Sequence, residues 1–258
     1  MSASGGGRGG SGRGGAGRGG SGRGGPSRSG SGRGLGEKLK PGKRSLSSRR
    51  WLSRQLKDPY VAEARRQGYR SRSAFKLAQI DDKAKFLKRG ARVVDLGAAP
   101  GGWTQVALER VGPTGKVVGI DVTEMEPIPG AVLLLGDVRE PEALERVRVA
   151  LDGPADVVLS DMAAPSTGHA KTDHLRIMGL IEIALDFAEQ ILAPGGTFAA
   201  KVLQGGTEAE VLTRLKTGFA KVRHVKPPAS RSDSAEMYVV ASGFRGVPAD
   251  QSEATESD

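Results

Sequence analysis

The sequence predicts an α/β domain built on a seven-stranded, mostly parallel sheet, with one antiparallel edge strand and helices on both faces. Three observations lead there. Short β-branched runs recur between Gly/Pro turns, segments of helical period separate most of them, and the last two runs are joined by a link too short for a helix. Alternation of strand and helix calls for right-handed crossovers, which lay the strands parallel and cover both faces of the sheet.

In chain order, helices around 52–67 and 71–80 come first and carry most of a basic stretch. A strand at 92–96 leads into a helix at 103–110, and strands at 116–121 and 131–135 follow. A helix at 141–150, a strand at 156–160, a helix at 172–192, a strand at 197–202 and a helix at 208–217 continue the alternation. Strands at 221–226 and 237–242 flank the Pro227-Pro228 loop, which leaves room only for antiparallel pairing at one edge. The length of 258 residues suits one such domain, expected at 51–245, with a tail at each end.

The first 36 residues hold 18 of the 39 glycines, and arginine falls at every fifth position from Arg8 to Arg33. Glycine costs the most backbone entropy to order, and this segment offers almost no apolar area in return, so 1–50 is expected to be a disordered, basic, Arg/Gly-rich tail. Arginine spaced by glycine suits loose RNA binding through phosphate contacts and guanidinium stacking, although a plain flexible linker has the same composition. Residues 246–258, ending in acids, read as a disordered C-terminal tail.

The net charge of +10 is unevenly spread. Residues 1–50 carry 12 Lys/Arg against Glu37, residues 51–92 carry 12 against four acids, and the remainder carries 15 against 24. A basic end joined to an acidic body suggests a polyanion gripped at one end of the molecule. No apolar run approaches the length of a membrane span and the N-terminus lacks a signal-peptide core, so a cytoplasmic protein, with no membrane partner, is expected. With no cysteine and three histidines, disulfides, thiolate nucleophiles and cysteine-held zinc are excluded, and no metal site is expected. His169 and His174 lack a third ligand of obvious spacing and read as part of a substrate loop.

The run from Val93 to Trp103, VVDLGAAPGGW, is a buried strand entering a small-residue turn that opens a helix, the place where a nucleotide-like ligand docks on an open α/β sheet. It is not the dinucleotide fingerprint, because Ala99 stands where the third position of G-x-G needs glycine and Pro100 has no N–H for a pyrophosphate. The spacing suits S-adenosylmethionine instead. Asp121 ends the next strand, where a carboxylate accepts from both ribose hydroxyls, and Asp137 follows the third strand, within reach of an adenine amino group. Either aspartate alone could be a turn cap. Their conjunction with the glycine loop is what indicates an adenosyl site.

Acids and lysines then stand at further strand ends: Asp161 in SDMAAP, Lys201 within the apolar run FAAKV, and Glu236 directly before MYVVA. Lys76 lies in RSRSAFKL, on a helix with an apolar face. A lysine inside an apolar strand is costly to desolvate unless it finds a carboxylate or snorkels. The strings RSRSAFKL, VVDLGAAPGGW, SDMAAP, FAAKVLQG and SRSDSAEMYVV, in order from about Arg70 to Phe244, resemble the RlmE (FtsJ, RrmJ) family of ribose methyltransferases.

The resemblance implies a Rossmann-like, S-adenosylmethionine-dependent methyltransferase fold. It places the family's catalytic K-D-K-E tetrad on Lys76, Asp161, Lys201 and Glu236, and its cofactor contacts on Gly101, Trp103, Asp121, Asp137 and Asp161. It also implies a monomer that methylates the 2′-oxygen of a uridine in the A-loop of large-subunit ribosomal RNA, on the assembled large ribosomal subunit. Such chemistry needs the ribose proton removed. Lys201 is the candidate base, to be kept neutral by burial and by Lys76; a charged Lys201 stabilising an alkoxide is the other assignment. Action on transfer RNA or an mRNA cap, or a non-catalytic ribosome-assembly factor, are the rival readings. The Arg/Gly tail lies outside the family pattern.

Overall fold

The structure is a computed structural model, and it describes residues 58–164, 167–204 and 209–246. The expected tails at 1–50 and 246–258 lie outside the described residues, apart from Gly246. In chain order the elements are α1 (Pro59–Gln67), α2 (Ser73–Ala84), β1 (Arg92–Leu96), α3 (Gly102–Val111), β2 (Lys116–Asp121), β3 (Ala131–Leu135), α4 (Pro141–Leu151), β4 (Ala155–Ser160), α5 (Ala170–Ile191), β5 (Leu192–Leu203), α6 (Ala209–Gly218), β6 (Phe219–Val225) and β7 (Glu236–Phe244).

Local chemistry sets the ends of these helices. Asp58 caps α1 by accepting from the Tyr60 N–H at 3.1 Å, and Pro59, whose missing N–H costs nothing there, begins the helix; Gly68, at φ 78°, ends it. Asp81 turns back at the end of α2 to accept from the N–H groups of Phe86 and Leu87 at 3.0 and 2.9 Å. The chain expected as one helix over 52–67 is described only from its cap onward.

The sheet has the order β3-β2-β1-β4-β5-β7-β6. The first five strands pair parallel, while β7 pairs antiparallel with both β5 and β6. The short link after β6 does force antiparallel pairing at that end. What it does not reveal is that β7 enters between β5 and β6, leaving β6 outermost.

Because side chains alternate along a strand, each strand feeds two cores. Val94, Leu96, Val158, Phe198, Ala200 and Val239 pack with α4, α5 and α6 on one face. Val93, Val157, Leu159, Ala199, Tyr238 and Val240 pack with α2 and α3 on the other. Lys201 shares the parity of Ala199, so it falls on the α2 face, opposite Tyr238 in the β5–β7 register; Glu236, two residues before Tyr238, falls there too. No helix among the described residues is long and apolar enough to cross a membrane.

Candidate active site

At the carboxyl ends of β1, β2, β3 and β4 an open groove of about 680 Å³ runs past Gly97, Asp121, Asp137 and Asp161. Gly97 makes the strand-to-turn bend at φ 72°, and a Cβ there would collide with the side chain of Met162. The Asp121 carboxylate braces the turn from the neighbouring strand, accepting from the Ala99 N–H at 2.9 Å through one oxygen and from the Thr123 N–H at 2.7 Å through the other. Arg70 staples a second loop over the turn, donating to the carbonyls of Glu126 and Pro127 at 2.6 and 2.8 Å and of Pro100 at 3.4 Å. The donor set suits a cationic adenosyl group: three carboxylates face the groove, and its one lining cation among the described residues, Arg139, is paired with Asp137.

Asp161 also belongs to a second constellation. Its Oδ1 accepts from Lys201 Nζ at 2.8 Å and from the Tyr238 hydroxyl at 2.9 Å, and its backbone carbonyl accepts from Lys201 Nζ at 2.8 Å. Lys76 Nζ, reaching down from α2, lies 2.7 and 2.8 Å from the two oxygens of Glu236, and Lys201 Nζ lies 4.0 Å from Glu236 Oε2. The four side chains are between 10 and 17% exposed, and two ammonium groups alternate with two carboxylates. Burial pushes the Glu236 carboxyl up, but Lys76, then Lys201 and the Ser230 hydroxyl, outweigh it and hold the group below the usual carboxylate range. Burial, with Asp161 and Glu236 adding to it, drives the Tyr238 hydroxyl far above its usual value, so it remains a proton donor to Asp161.

The sequence profile described as FtsJ-like methyltransferase matches residues 69–244, which span both constellations. The chain belongs to this FtsJ-like methyltransferase family. It is 63% identical over 220 residues to a protein of Paramagnetospirillum magneticum named ribosomal RNA large subunit methyltransferase E, covering 83% of this chain and 90% of that one. A protein of the same name from Xanthobacter autotrophicus is 60% identical, covering 83% and 86%. A crystal structure described as a ribosomal RNA methyltransferase of Plasmodium falciparum superposes with a TM-score of 0.62 at 34% identity, covering 69% of this chain and all of that one.

The methyltransferase uses S-adenosylmethionine. Of the five residues expected to contact it, Asp121, Asp137 and Asp161 line the groove. Asp137 is engaged by the Arg139 side chain and by the Arg139 N–H, and these bonds lower its pKa. Gly101 and Trp103 stand behind the groove wall. Gly101, at φ 110°, opens α3 where a Cβ would lie 2.6 Å from Ile128, and Trp103 is buried, its indole N–H donating to the Ser73 carbonyl at 2.9 Å while its ring packs 5.5 Å from that of Tyr238. All four tetrad residues are brought together. Sequence reasoning missed the Tyr238 hydroxyl, although a tyrosine within an apolar strand needs a partner for its O–H. It also missed the state of Asp95, buried at the end of β1, whose Oδ2 accepts from the Thr104 hydroxyl at 2.7 Å while its Oδ1 has no hydrogen-bond partner. Burial, opposed by Thr104 and reinforced by Asp161 and Asp121, pushes the Asp95 carboxyl up to about 7. Among the described residues no group of acids and histidines could hold a metal ion.

Proposed function

We propose that this chain methylates the 2′-oxygen of a uridine ribose in the A-loop of large-subunit ribosomal RNA, on the assembled large subunit, working as a cytoplasmic monomer. One observation carries the reading: Asp161 is at once a wall of the cofactor groove and the partner of Lys201, so the methyl donor's site and the lysines meet at one carboxylate. The relatives named ribosomal RNA large subunit methyltransferase E support the choice of RNA.

S-adenosylmethionine supplies an electrophilic methyl group. The ribose hydroxyl is a poor nucleophile until its proton leaves; Lys201 stands where it either accepts that proton after giving up its own or, as the ammonium paired with Asp161, stabilises the developing alkoxide. Asp161 holds Lys201 by its side chain and its backbone carbonyl, which fixes the amine against the groove. Lys76, held by Glu236, faces the forming alkoxide with a positive charge. Asp121 and Asp137 would hold the ribose and the adenine of the bound cofactor, while Gly101 and Trp103 set the position of the glycine turn. The tail at 1–50 adds RNA affinity that does not depend on sequence.

The test is to incubate the protein with labelled S-adenosylmethionine and either large ribosomal subunits or transfer RNA, and to map 2′-O-methylated nucleotides. Modification of one uridine in large-subunit RNA is expected. Transfer to transfer RNA alone, or to no RNA, overturns the reading.

A further inference from the structure

Glu236 is positioned from outside the tetrad. The loop between β6 and β7 folds back against α2 and is pinned there twice at one residue: the Ala229 N–H donates to Gln79 Oε1 at 2.6 Å, and Arg72 donates to the Ala229 carbonyl. Arg72 is itself held by Asp58 at 2.7 Å, and Asp58 also lies 3.3 Å from Arg231. Lys226 closes the base of the loop on the Ser234 carbonyl at 2.9 Å. This frame carries Ser230, which is 6% exposed and whose N–H is bonded to the Pro227 carbonyl at 2.9 Å, directly to Glu236. The Ser230 hydroxyl meets Glu236 Oε1 at 2.8 Å, and since that carboxylate is ionised the hydroxyl is the donor.

We propose that Ser230 is a positioning residue of the methyl-transfer site, fixing through its hydroxyl the Glu236 carboxylate that holds Lys76 and faces Lys201. The geometry makes the division of labour clear. Oε1 takes both Ser230 and Lys76, while Oε2 takes Lys76 at 2.8 Å and faces Lys201 at 4.0 Å. Without the hydroxyl, the carboxylate loses its anchor on the β6–β7 loop and depends for its place on Lys76, which stands on a flexible stem. A hydrogen bond to an ionised group is stronger than one between neutral groups, so its loss is felt in the rate. The inference rests on the reading of the tetrad as catalytic.

The loop's anchors at Ala229 are backbone atoms, so Ser230→Ala leaves them in place. The full-length chain, Ser230→Ala, Ser230→Thr, Glu236→Gln and the double variant Ser230→Ala/Glu236→Gln would be compared for methyl transfer to large ribosomal subunits across pH 5–9, with cofactor affinity measured by calorimetry. Ser230→Ala is expected to lower kcat about ten-fold with KM and cofactor affinity unchanged, and Ser230→Thr to restore most of it. The acid limb of the rate should move to higher pH, because Glu236, faced by Lys76 from α2, Lys201 from β5, Tyr238 on its own strand and Asp161 beyond β4, loses a donor that favours its ionised form. In the Glu236→Gln background the serine change should cost nothing further. Wild-type kcat and pH profile in Ser230→Ala, beside a slowed Glu236→Gln, overturns the role of Ser230 alone. An unslowed Glu236→Gln overturns the tetrad reading and the inference together. Lost cofactor affinity in Ser230→Ala assigns Ser230 to the fold and also overturns the inference.

Discussion

The Tyr238 hydroxyl and Lys201 Nζ converge on the same atom, Asp161 Oδ1, at 2.9 and 2.8 Å. One carboxylate oxygen, braced from β7 and from β5, thus joins the groove to the buried lysines. Two neighbouring donors from different strands leave Asp161 little freedom to turn, and a fixed acceptor is what keeps a lysine on a flexible stem in one place.

Replacing Lys201 by Met is expected to leave cofactor affinity within a few-fold and to slow methyl transfer by about 100- to 10,000-fold, the range of a lost proton acceptor. Single-turnover transfer and calorimetry on the same preparation check this. Full transfer in that variant would exclude Lys201 from the chemistry.

Tyr238→Phe removes one of the two donors to Asp161 Oδ1 and leaves Lys201 in place. A rate loss of about ten-fold, with little change in cofactor affinity, is expected from one hydrogen bond to a charged group. Asp161→Asn should be more severe and should weaken cofactor binding as well, since Asp161 lines the groove. Equal losses in the two variants would show that Tyr238 is more than a brace.

Arg70→Ala releases the carbonyls of Glu126, Pro127 and Pro100 from one guanidinium. Cofactor affinity is expected to fall by about ten-fold, with kcat at saturating cofactor nearly unchanged. Arg70→Lys should not restore it, because an ammonium cannot span the carbonyls as a planar fork does. Calorimetry on the three proteins decides the point.

Asp95 links stability to pH. Its carboxyl titrates at about 7 in the folded protein and at about 3.9 in an unfolded chain, so the folded state binds the extra proton between those values. Its contribution is fully present below about pH 4 and is lost as pH rises toward 7, by at most about 4 kcal/mol. Asp95→Asn should therefore flatten the fall in melting temperature between pH 5 and 7 and exceed the parent above pH 7. Parallel curves for the two proteins would exclude a protonated Asp95.

Deleting residues 1–36 is expected to preserve cofactor binding and to weaken RNA association, with a shallower dependence on salt, since each lost arginine removes a phosphate contact and its counterion release. Unchanged affinity at low salt would assign the segment another role.

Several features were legible in the residues alone because they are local. Alternating apolar runs mark strands wherever one side chain in two must be buried, and the turn from Val93 to Trp103 carries its ligand chemistry in consecutive positions. Asp121, Asp137 and Asp161 each stand at a strand end that the pattern of runs already located. The strand parity that turns Lys201 toward α2 is also a local property, although the identity of its partners is not.

What only the tertiary structure decided depends on pairings between distant segments. The insertion of β7 between β5 and β6 sets Tyr238 beside Lys201 and Glu236 opposite Leu203 at the end of β5; the sequence around Glu236 marks a strand end but not these neighbours. Trp103, the last residue of a ligand-binding motif, bonds Ser73 and packs on Tyr238, because a large indole stabilises the fold most when buried. Sequence by itself determined the order of elements, the charge division and the residue types of the site. The crossing of α2 over the β5–β7 pair determined which charges touch, since a buried ion pair forms only where packing brings both partners out of water together.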